Sequence, residues 1–286
     1  MSVDPNLALS RAALGSQGTA SAVGDKAPRP NAPRDLPRGT GAILPLALLL
    51  AFEFAVRVGW IAPHLLPPPS EVLATLWWLL QRGLAAHVAA SVLRVLAGFA
   101  LGGGLALLLG TVVGLSRFGE RFLDPTFQAL RAIPSLAWVP LLLLWLGIDE
   151  APKIVLIAIG AFFPIYMGVA SGFRDVDRKL VEVARMAGLS STALVRRVLL
   201  PAAMPAVWTG LRNGLSLAWM FMVAAELIAA TRGLGYLLTD GRETGRADIV
   251  LAAIVLLALL GKLSDTLMQV LERRTLSWRD TFDSHA

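Results

Sequence analysis

The chain has no cysteine and only three histidines, His64, His87 and His285, among its 286 residues. Without cysteine, the protein forms no disulfide bond, has no thiolate nucleophile and offers no thiolate to a metal ion. The histidines are scattered and lack the spacing of metal ligands, and no catalytic set of side chains stands out. The sequence therefore predicts neither a metal site nor a catalytic site. Charged residues are also scarce, at 16%, where soluble domains have roughly 25%.

Apolar sequence is abundant instead, with 56% hydrophobic residues and a mean hydropathy of +0.65. This composition is typical of an integral membrane protein. Because each spanning helix takes about 20 residues, the length accommodates one bundle of about five to seven spans and no separate soluble domain. The net charge of +6 could indicate nucleic-acid binding, but excess Lys and Arg in a membrane protein mainly marks cytoplasmic loops. We therefore expect no nucleic-acid partner.

The apolar segments predict an all-α fold with about six transmembrane helices. These spans cover about 42–61, 88–115, 134–148, 152–172, 206–230 and 249–271. The third span could begin within a preceding helix at 121–132. After the prolines at 67–69, a short helix to about Gln81 is expected, with Ser70 as its N-cap. We place this short helix at the outer membrane interface.

Three regions follow from the distribution of composition and charge. Residues 1–41 lack apolar periodicity and predict a disordered cytoplasmic tail rather than a cleaved signal peptide. Residues 42–271 form the predicted transmembrane domain, and 272–286 form a second cytoplasmic tail. Lys and Arg concentrate in both tails and in the connector at 174–201. This bias places these regions, and with them both termini, in the cytoplasm.

One charged segment interrupts the apolar sequence, VEVARMAGLSSTALVRRVLLPAAMP at 181–205. Apolar positions at helical spacing predict a helix that ends at Gly188. Ser190 or Ser191 can cap a second short helix, which is expected to stop near Pro201. Two short helices joined at a glycine indicate a docking element for a cytoplasmic partner. An amphipathic linker with a solvated charged face is the alternative.

The spacing in this segment resembles the EAA loop of ATP-binding-cassette importer permeases. That loop reads Glu-Ala-Ala, three residues, Gly, nine residues, Ile, one residue, Leu-Pro. The matching positions here are Glu182, Ala184, Gly188, Val198, Leu200 and Pro201, with Val183 in place of the middle Ala. The segments SRFGERFLD, LGIDEAPKI and GKLSD are similar to the permease subgroup for sulfonates, taurine and nitrate, and most similar to aliphatic sulfonate permeases. The resemblance covers the chain from about residue 42 to its end.

The resemblance implies a type I importer fold and the permease subunit of an ATP-driven importer of small sulfonates in the bacterial inner membrane. It implies a second permease copy in a homodimer, a cytoplasmic ATPase dimer that binds the loop at 174–201, and a periplasmic substrate-binding protein. ATP and Mg²⁺ would lie on the ATPase, and this chain would bind no cofactor. The sequence agrees, because it contains no G-x-x-x-x-G-K-[ST] phosphate-binding pattern. Taurine, nitrate or another small anion is the alternative substrate, and a gradient-driven secondary transporter is a more distant alternative.

Ionisable residues within spans are functional candidates, because each costs about 2.5 to 3.5 kcal/mol at the bilayer centre. The candidates for the translocation path are Arg94, Arg212, Asn213 and Glu226. Arg94 could equally extend its head group to the interface. Arg212 could contact an anion or pair with a carboxylate. Glu226 is a poor contact for an anionic substrate and favours a structural pair or a gate.

Two other pairs of charges are predicted from spacing alone. Glu53 and Arg57 lie four residues apart on one face of the first span. Lys262 and Asp265 lie three residues apart in the last span. Both spacings predict ion pairs within a single helix.

Overall fold

The structure, a computed structural model, describes residues 43–278, so the predicted tail at 1–41 and the last eight residues lie outside the described part. Between residues 43 and 278 the chain is helical and has no strand. The helices are α1 Ile43–Arg57, α2 Pro69–Gln81, α3 Leu84–Leu115, α4 Arg117–Ala132, α5 Val139–Leu146, α6 Glu150–Arg174, α7 Arg178–Met186, α8 Ser191–Leu194, α9 Leu200–Ala229, α10 Leu234–Glu243 and α11 Ala247–Thr275. The last helix thus runs four residues beyond the predicted end of its span.

Four helical segments are long and apolar enough to cross a membrane, namely α3, α6, the run Ser191–Ile228 and α11. A fifth is possible if α4 and Ser135–Leu146, which meet at 88°, form one broken span. The sequence predicted about six. The difference lies at α1, whose 15 described residues fall short of the about 20 that a span needs.

The break after α4 has a local cause at Pro134. The residue before a proline is driven out of the α conformation by the pyrrolidine ring. Ile133 accordingly has φ −76° and ψ 124° and ends the helix. A 3-10 turn at Ser135–Trp138 then leads into α5. The predicted third span is therefore the shorter arm of a bent pair.

The core of the bundle is formed by α3, α6 and α9, which approach closely through small residues. A Cβ atom on Gly102 of α3 would collide with the backbone of Ala158 on α6. A Cβ atom on Gly168 of α6 would lie 2.8 Å from the Cα atom of Gly210 on α9. Small residues let the backbones of membrane helices approach closely. This approach gains dispersion energy that larger side chains would prevent.

The start of α2 differs from the prediction that Ser70 caps it. The helix begins two residues earlier than this cap implies, at Pro69, because proline at the first helical position has a suitable φ and needs no hydrogen-bond partner. The Ser70 hydroxyl instead donates to Glu53 Oε1 at 2.8 Å. The predicted pair is present, since Arg57 Nε lies 2.7 Å from the same Glu53 oxygen. The Glu53 carboxylate therefore joins α1 to the N-terminus of α2.

The sequence predicted that the second helix of the charged segment stops near Pro201. In the structure it does not stop there. After α8, a π-helical turn at Val195–Leu199 leads directly into α9, and Pro201 lies in its first turn. Proline is excluded from a helix interior partly because its ring displaces the carbonyl four residues earlier. That residue, Arg197, lies within the wider π turn. The helix therefore continues from the charged segment into the membrane domain.

Candidate functional site

The glycine of the charged segment forms a helix end with a defined geometry. Gly188 has φ +76°, in the left-handed region that favours glycine. Its N–H donates to Arg185 O at 2.9 Å, and the next N–H, from Leu189, donates to Ala184 O at 3.2 Å. This is the Schellman arrangement. A Cβ atom on Gly188 would meet nothing within 4 Å, so the turn needs glycine for its backbone angle and not for space.

The surface of α7 exposes apolar side chains, whereas only one residue of the helix is buried. That residue is Ala184. Leu180, Val183 and Met186 repeat every three residues on the outside, and Met186 is 80% exposed. We call these three residues the α7 face. Glu182, beside them, is also exposed. A charged helix that exposes an apolar stripe has the features of a docking surface.

The remaining motif positions lie in the helical path that follows. Val198 is half-buried in the π turn, and Leu200 and Pro201 form the first turn of α9. Ser190 caps α8 by accepting a hydrogen bond from Ala193 N at 3.3 Å. No break separates α8 from α9, whereas the turn at Gly188 separates α7 from α8.

At the opposite end of the bundle, Arg94 and Glu226 form a buried ion pair. Arg94 Nη1 lies 2.7 Å from Glu226 Oε1. The other side of the guanidinium donates two bonds to Glu150, at 2.6 and 2.7 Å. Arg94 is 7% exposed and Glu226 is 1% exposed. The structure thus brings together two residues that the sequence named separately as path candidates.

The Glu226 carboxylate also holds the turn between α9 and α10. Ser91 Oγ donates to Glu226 Oε1 at 2.7 Å and accepts a bond from Leu234 N at 2.8 Å. Gly235 N donates to Glu226 Oε2 at 2.7 Å. Lys153 pairs with Glu150 at 3.0 Å, so two cations balance two carboxylates. This neutral cluster joins α3, α6, α9 and α10.

Arg212 contacts carboxylates of α11. Its Nε donates to Asp265 at 3.0 Å and its Nη1 to Glu272 at 3.2 Å. The two carboxylates lie seven residues apart, which is two helical turns, so they share one face that a forked guanidinium can bridge. The predicted pair of Lys262 with Asp265 is wrong, because Asp265 bonds Arg212 instead.

A cavity of about 700 Å³ lies between the end of α4, α6 and α9. Its polar lining consists of Arg131, Ser135, Ser171, Thr209 and Asn213. Asn213 is the one path candidate from the sequence that lines it. Its neighbour Arg212 points toward α11, because consecutive residues are rotated by about 100° on a helix. The sequence reading missed Arg131, which precedes the third predicted span and lies in the helix at 121–132 where that span could begin.

A second ionic cluster, at the end of the bundle that carries α7, also escaped the sequence reading. Arg174, the last residue of α6, lies 3.1 Å from Asp124 and 3.4 Å from Glu120 on α4. The Tyr166 hydroxyl donates to Asp124 at 2.7 Å. These contacts fix the end of α6 to α4 just before the charged segment begins. The signal in the sequence was the alternation of charge in SRFGERFLD.

Comparison with known proteins agrees with this architecture. The family model described as binding-protein-dependent transport system inner membrane component matches residues 102–277. A chain of the MetNI methionine ABC transporter, in inward-facing conformations, has the same fold with a TM-score of 0.55 and 23% identity, over 69% of this chain and 96% of that one. The type I fold predicted from the sequence is confirmed.

Three relatives specify the subgroup. The chain is 46% identical over 240 residues to a protein of Escherichia coli named as an aliphatic sulfonates transport permease, SsuC, covering 84% of this chain and 91% of that one. It is 39% identical to the SsuC of Bacillus subtilis, covering 85% and 88%. It is 36% identical to the taurine permease TauC of Escherichia coli, covering 82% and 87%. The resemblance to sulfonate and taurine permeases is confirmed.

These relatives are transport subunits and not enzymes, and the ATPase activity of such systems sits in a partner subunit. With its several apolar helices, the chain is a multi-pass protein of the inner membrane. It belongs to the binding-protein-dependent transport system inner membrane components, the permease subunits of ATP-binding-cassette importers.

Proposed function

We propose that this permease carries small aliphatic sulfonates inward and is driven by a separate ATPase that binds the segment 174–201. The observation that carries the substrate is the 46% identity over 91% of the Escherichia coli sulfonate permease. The taurine permease, at 36%, and a nitrate permease of Synechocystis, at 33% over 217 residues, are less similar. Taurine and nitrate are therefore the competing substrates.

The coupling role is supported by the geometry of α7 and Gly188. The α7 face is apolar and exposed, and its burial in a groove of the ATPase would favour association at about 25 cal/mol per Å². Exposed Glu182 would supply a charged contact at the edge of this groove. Gly188 sets the angle at which α7 projects from α8. The unbroken path from α8 to α9 would then transmit the movement.

In the proposed cycle, the transport complex contains two permease copies, two ATPase subunits and a substrate-binding protein. The binding protein delivers substrate on the outer side. ATP and Mg²⁺ are held by the ATPase, whose closure draws the two segments at 174–201 together. The attached α9 helices tilt, and the cavity changes from inward to outward access. Hydrolysis then resets the inward state.

Two variants and two matched controls test the coupling. Glu182→Lys reverses the exposed charge, and Gly188→Trp fills the open space that a docked partner would occupy. Gly245→Trp is the control for the second, because Gly245 has φ +66°, no atom within 4 Å of a Cβ atom, and the same pair of Schellman bonds after α10. Glu243→Lys is the control for the first, because Glu243 is an exposed carboxylate at the end of α10.

The measurements are co-purification of the ATPase and ATP-dependent uptake of labelled alkanesulfonate into proteoliposomes that contain the whole complex. We expect both α7-side variants to lose the ATPase and uptake, and both controls to keep the ATPase bound. Retention of the ATPase by Glu182→Lys and Gly188→Trp would contradict the docking role. Uptake of taurine or nitrate in place of alkanesulfonate would overturn the substrate and leave the coupling intact. Uptake without any ATPase would refute the importer mechanism.

A further inference from the structure

The lining of the cavity between α4, α6 and α9 combines polar and apolar side chains. Ser171 and Thr209 lie nearest to the end of the bundle that carries α7. Arg131 lies about two turns farther along α4 than Asp124, which contacts the end of α6. Leu217 and Met220 follow Asn213 along α9, and Phe163 lies on α6. The cavity thus offers a cation and an apolar surface to one bound molecule.

Arg131 differs from the cations of the core helices α3, α6 and α9. Arg94, Lys153, Arg174 and Arg212 are all bonded to carboxylates. Arg131 has no carboxylate partner among residues 43–278, is exposed, and lines a cavity whose described lining contains no acidic residue. An unneutralised guanidinium among neutral hydrogen-bonding side chains favours an anion, which it can bind through two parallel bonds.

The broken helix adds to this preference. Arg131 occupies the last turn of α4, where its charge offsets the negative end of the helix dipole. Ser135, which also lines the cavity, begins the next helical segment, whose dipole is positive at that end. Discontinuous membrane helices present such ends to anionic substrate groups. The break at Pro134 therefore presents the Arg131 guanidinium and the positive end of one helix dipole to the cavity, beside the negative end of α4.

From this lining we infer that the cavity is a binding site for an amphiphilic anion, with a compact oxyanion head at Arg131 and an alkyl tail along Phe163, Leu217 and Met220. The inference rests on the proposed function and makes it more specific, because the permease itself contributes to selectivity. A tetrahedral sulfonate head fits a guanidinium and hydroxyl donors. An alkyl tail gains free energy for each methylene that the apolar part of the lining takes from water.

The test measures equilibrium binding of methanesulfonate, butanesulfonate and hexanesulfonate to the purified permease–ATPase complex without the binding protein. Wild type should bind with affinity that rises by about two- to four-fold per added methylene. Arg131→Met should weaken all three by about 10- to 100-fold, and Arg131→Lys should recover part of this loss. Arg121→Met is the matched control, since Arg121 is an exposed arginine of the same helix outside the cavity lining.

The apolar part of the proposed site, which would contact the alkyl tail, is tested separately with Met220→Ser. This change should reduce the dependence of binding affinity on alkyl chain length and leave the affinity for methanesulfonate unchanged. Its control is Leu263→Ser, an exposed apolar position of α11 outside the cavity. Equal binding by wild type and Arg131→Met, or a wild-type affinity that does not vary with chain length, overturns the inference.

The same complexes distinguish this failure from a failure of the proposed function. Wild-type complex with its binding protein in proteoliposomes should import butanesulfonate with ATP. If it does so while Arg131→Met binds and imports equally well, only the cavity site is wrong. If wild type neither binds nor imports any sulfonate, both the proposed substrate and the site are wrong.

Discussion

The ion pair between Arg94 and Glu226 should act mainly on stability, and Glu226→Gln tests this with little change in shape. The carboxylate accepts bonds from Arg94, Ser91 and Gly235 and is 1% exposed. The amide keeps one acceptor oxygen but replaces the other with a donor that faces donors. It also leaves the cluster with an uncompensated positive charge. Breaking a buried pair in this way costs about 3 to 5 kcal/mol.

The assay is thermal unfolding of the purified complex, read as the temperature at which half of the permease has lost its native elution volume. With about 2 to 4 °C per kcal/mol for a domain of this size, Glu226→Gln should lower this temperature by about 6 to 20 °C. Glu243→Gln is the control, because Glu243 is a 68% exposed carboxylate. Surface changes of this kind stay within about 0.5 kcal/mol.

A double substitution separates structure from transport chemistry. Arg94→Met combined with Glu226→Met removes both charges, and Lys153 remains to pair with Glu150. Apolar replacement of a buried pair is often neutral, so the double variant should be more stable than either single variant. If Glu226→Gln abolishes uptake while its unfolding temperature stays within 2 °C of wild type, using the scale above, Glu226 is a transport contact and our reasoning is refuted.

Four further predictions concern the packing of α4, α6, α9 and α11. Gly168→Ala should lower the free energy of unfolding by about 1 to 3 kcal/mol through the close α6–α9 contact. Gly261→Ala, at a helical glycine with open space around it, should instead raise stability by about 0.5 to 1 kcal/mol. Arg212→Met should destabilise the α9–α11 contact by leaving two carboxylates without their cation, as measured by protease resistance in detergent. Tyr166→Phe removes the bond to Asp124 and should cost about 1.5 to 3 kcal/mol in thermal unfolding. A stabilising effect of Gly168→Ala, or no effect of the other three changes, would contradict these assignments.

Local sequence signals predicted the elements that depend on local rules. The end of α7 at Gly188 follows from the left-handed backbone that glycine adopts without strain. The Glu53–Arg57 pair follows from helical spacing. The helix through Pro201 could not be predicted, because whether a proline is accommodated depends on the carbonyl geometry four residues earlier. A π turn is a feature of the backbone, and the amino-acid composition does not clearly predict it.

Contacts between distant helices could not be read from spacing. Arg94 and Glu226 are 132 residues apart, and Arg212 and Asp265 are 53 apart. A sequence shows that a charge in a span needs a partner, but it does not show which helix face will meet which. Arg131 was missed for the opposite reason. It lies at a helix end, where a charge is inexpensive, and it became a candidate only when the bend at Pro134 directed it to a cavity.

If the α7 face binds the ATPase as proposed, the length of α9 determines how a movement there reaches the cavity. The helix runs from Leu200 to Ala229, and Glu226 is held near its far end by four hydrogen bonds. If α9 tilts about Glu226, a residue moves in proportion to its distance from that pivot. At 1.5 Å per residue, Leu200 lies about 39 Å from the pivot and Ser216 about 15 Å, so Ser216 should move about two fifths as far.

Because the chain has no cysteine, the tilt of α9 can be measured without background labelling of the permease. Single variants Leu200→Cys, Ser216→Cys and Ile228→Cys, each spin-labelled, would report the distance between the two permease copies of the proposed complex with and without ATP. We expect the largest change at Leu200, about two fifths of it at Ser216, and almost none at Ile228. Equal changes at all three positions would show that α9 translates as a rigid body. A change confined to Leu200 would place a hinge at Pro205, since proline is a common cause of bending within a helix. Either result would refute a pivot at the Glu226 cluster, and the second would also uncouple the docking surface from the cavity at Asn213.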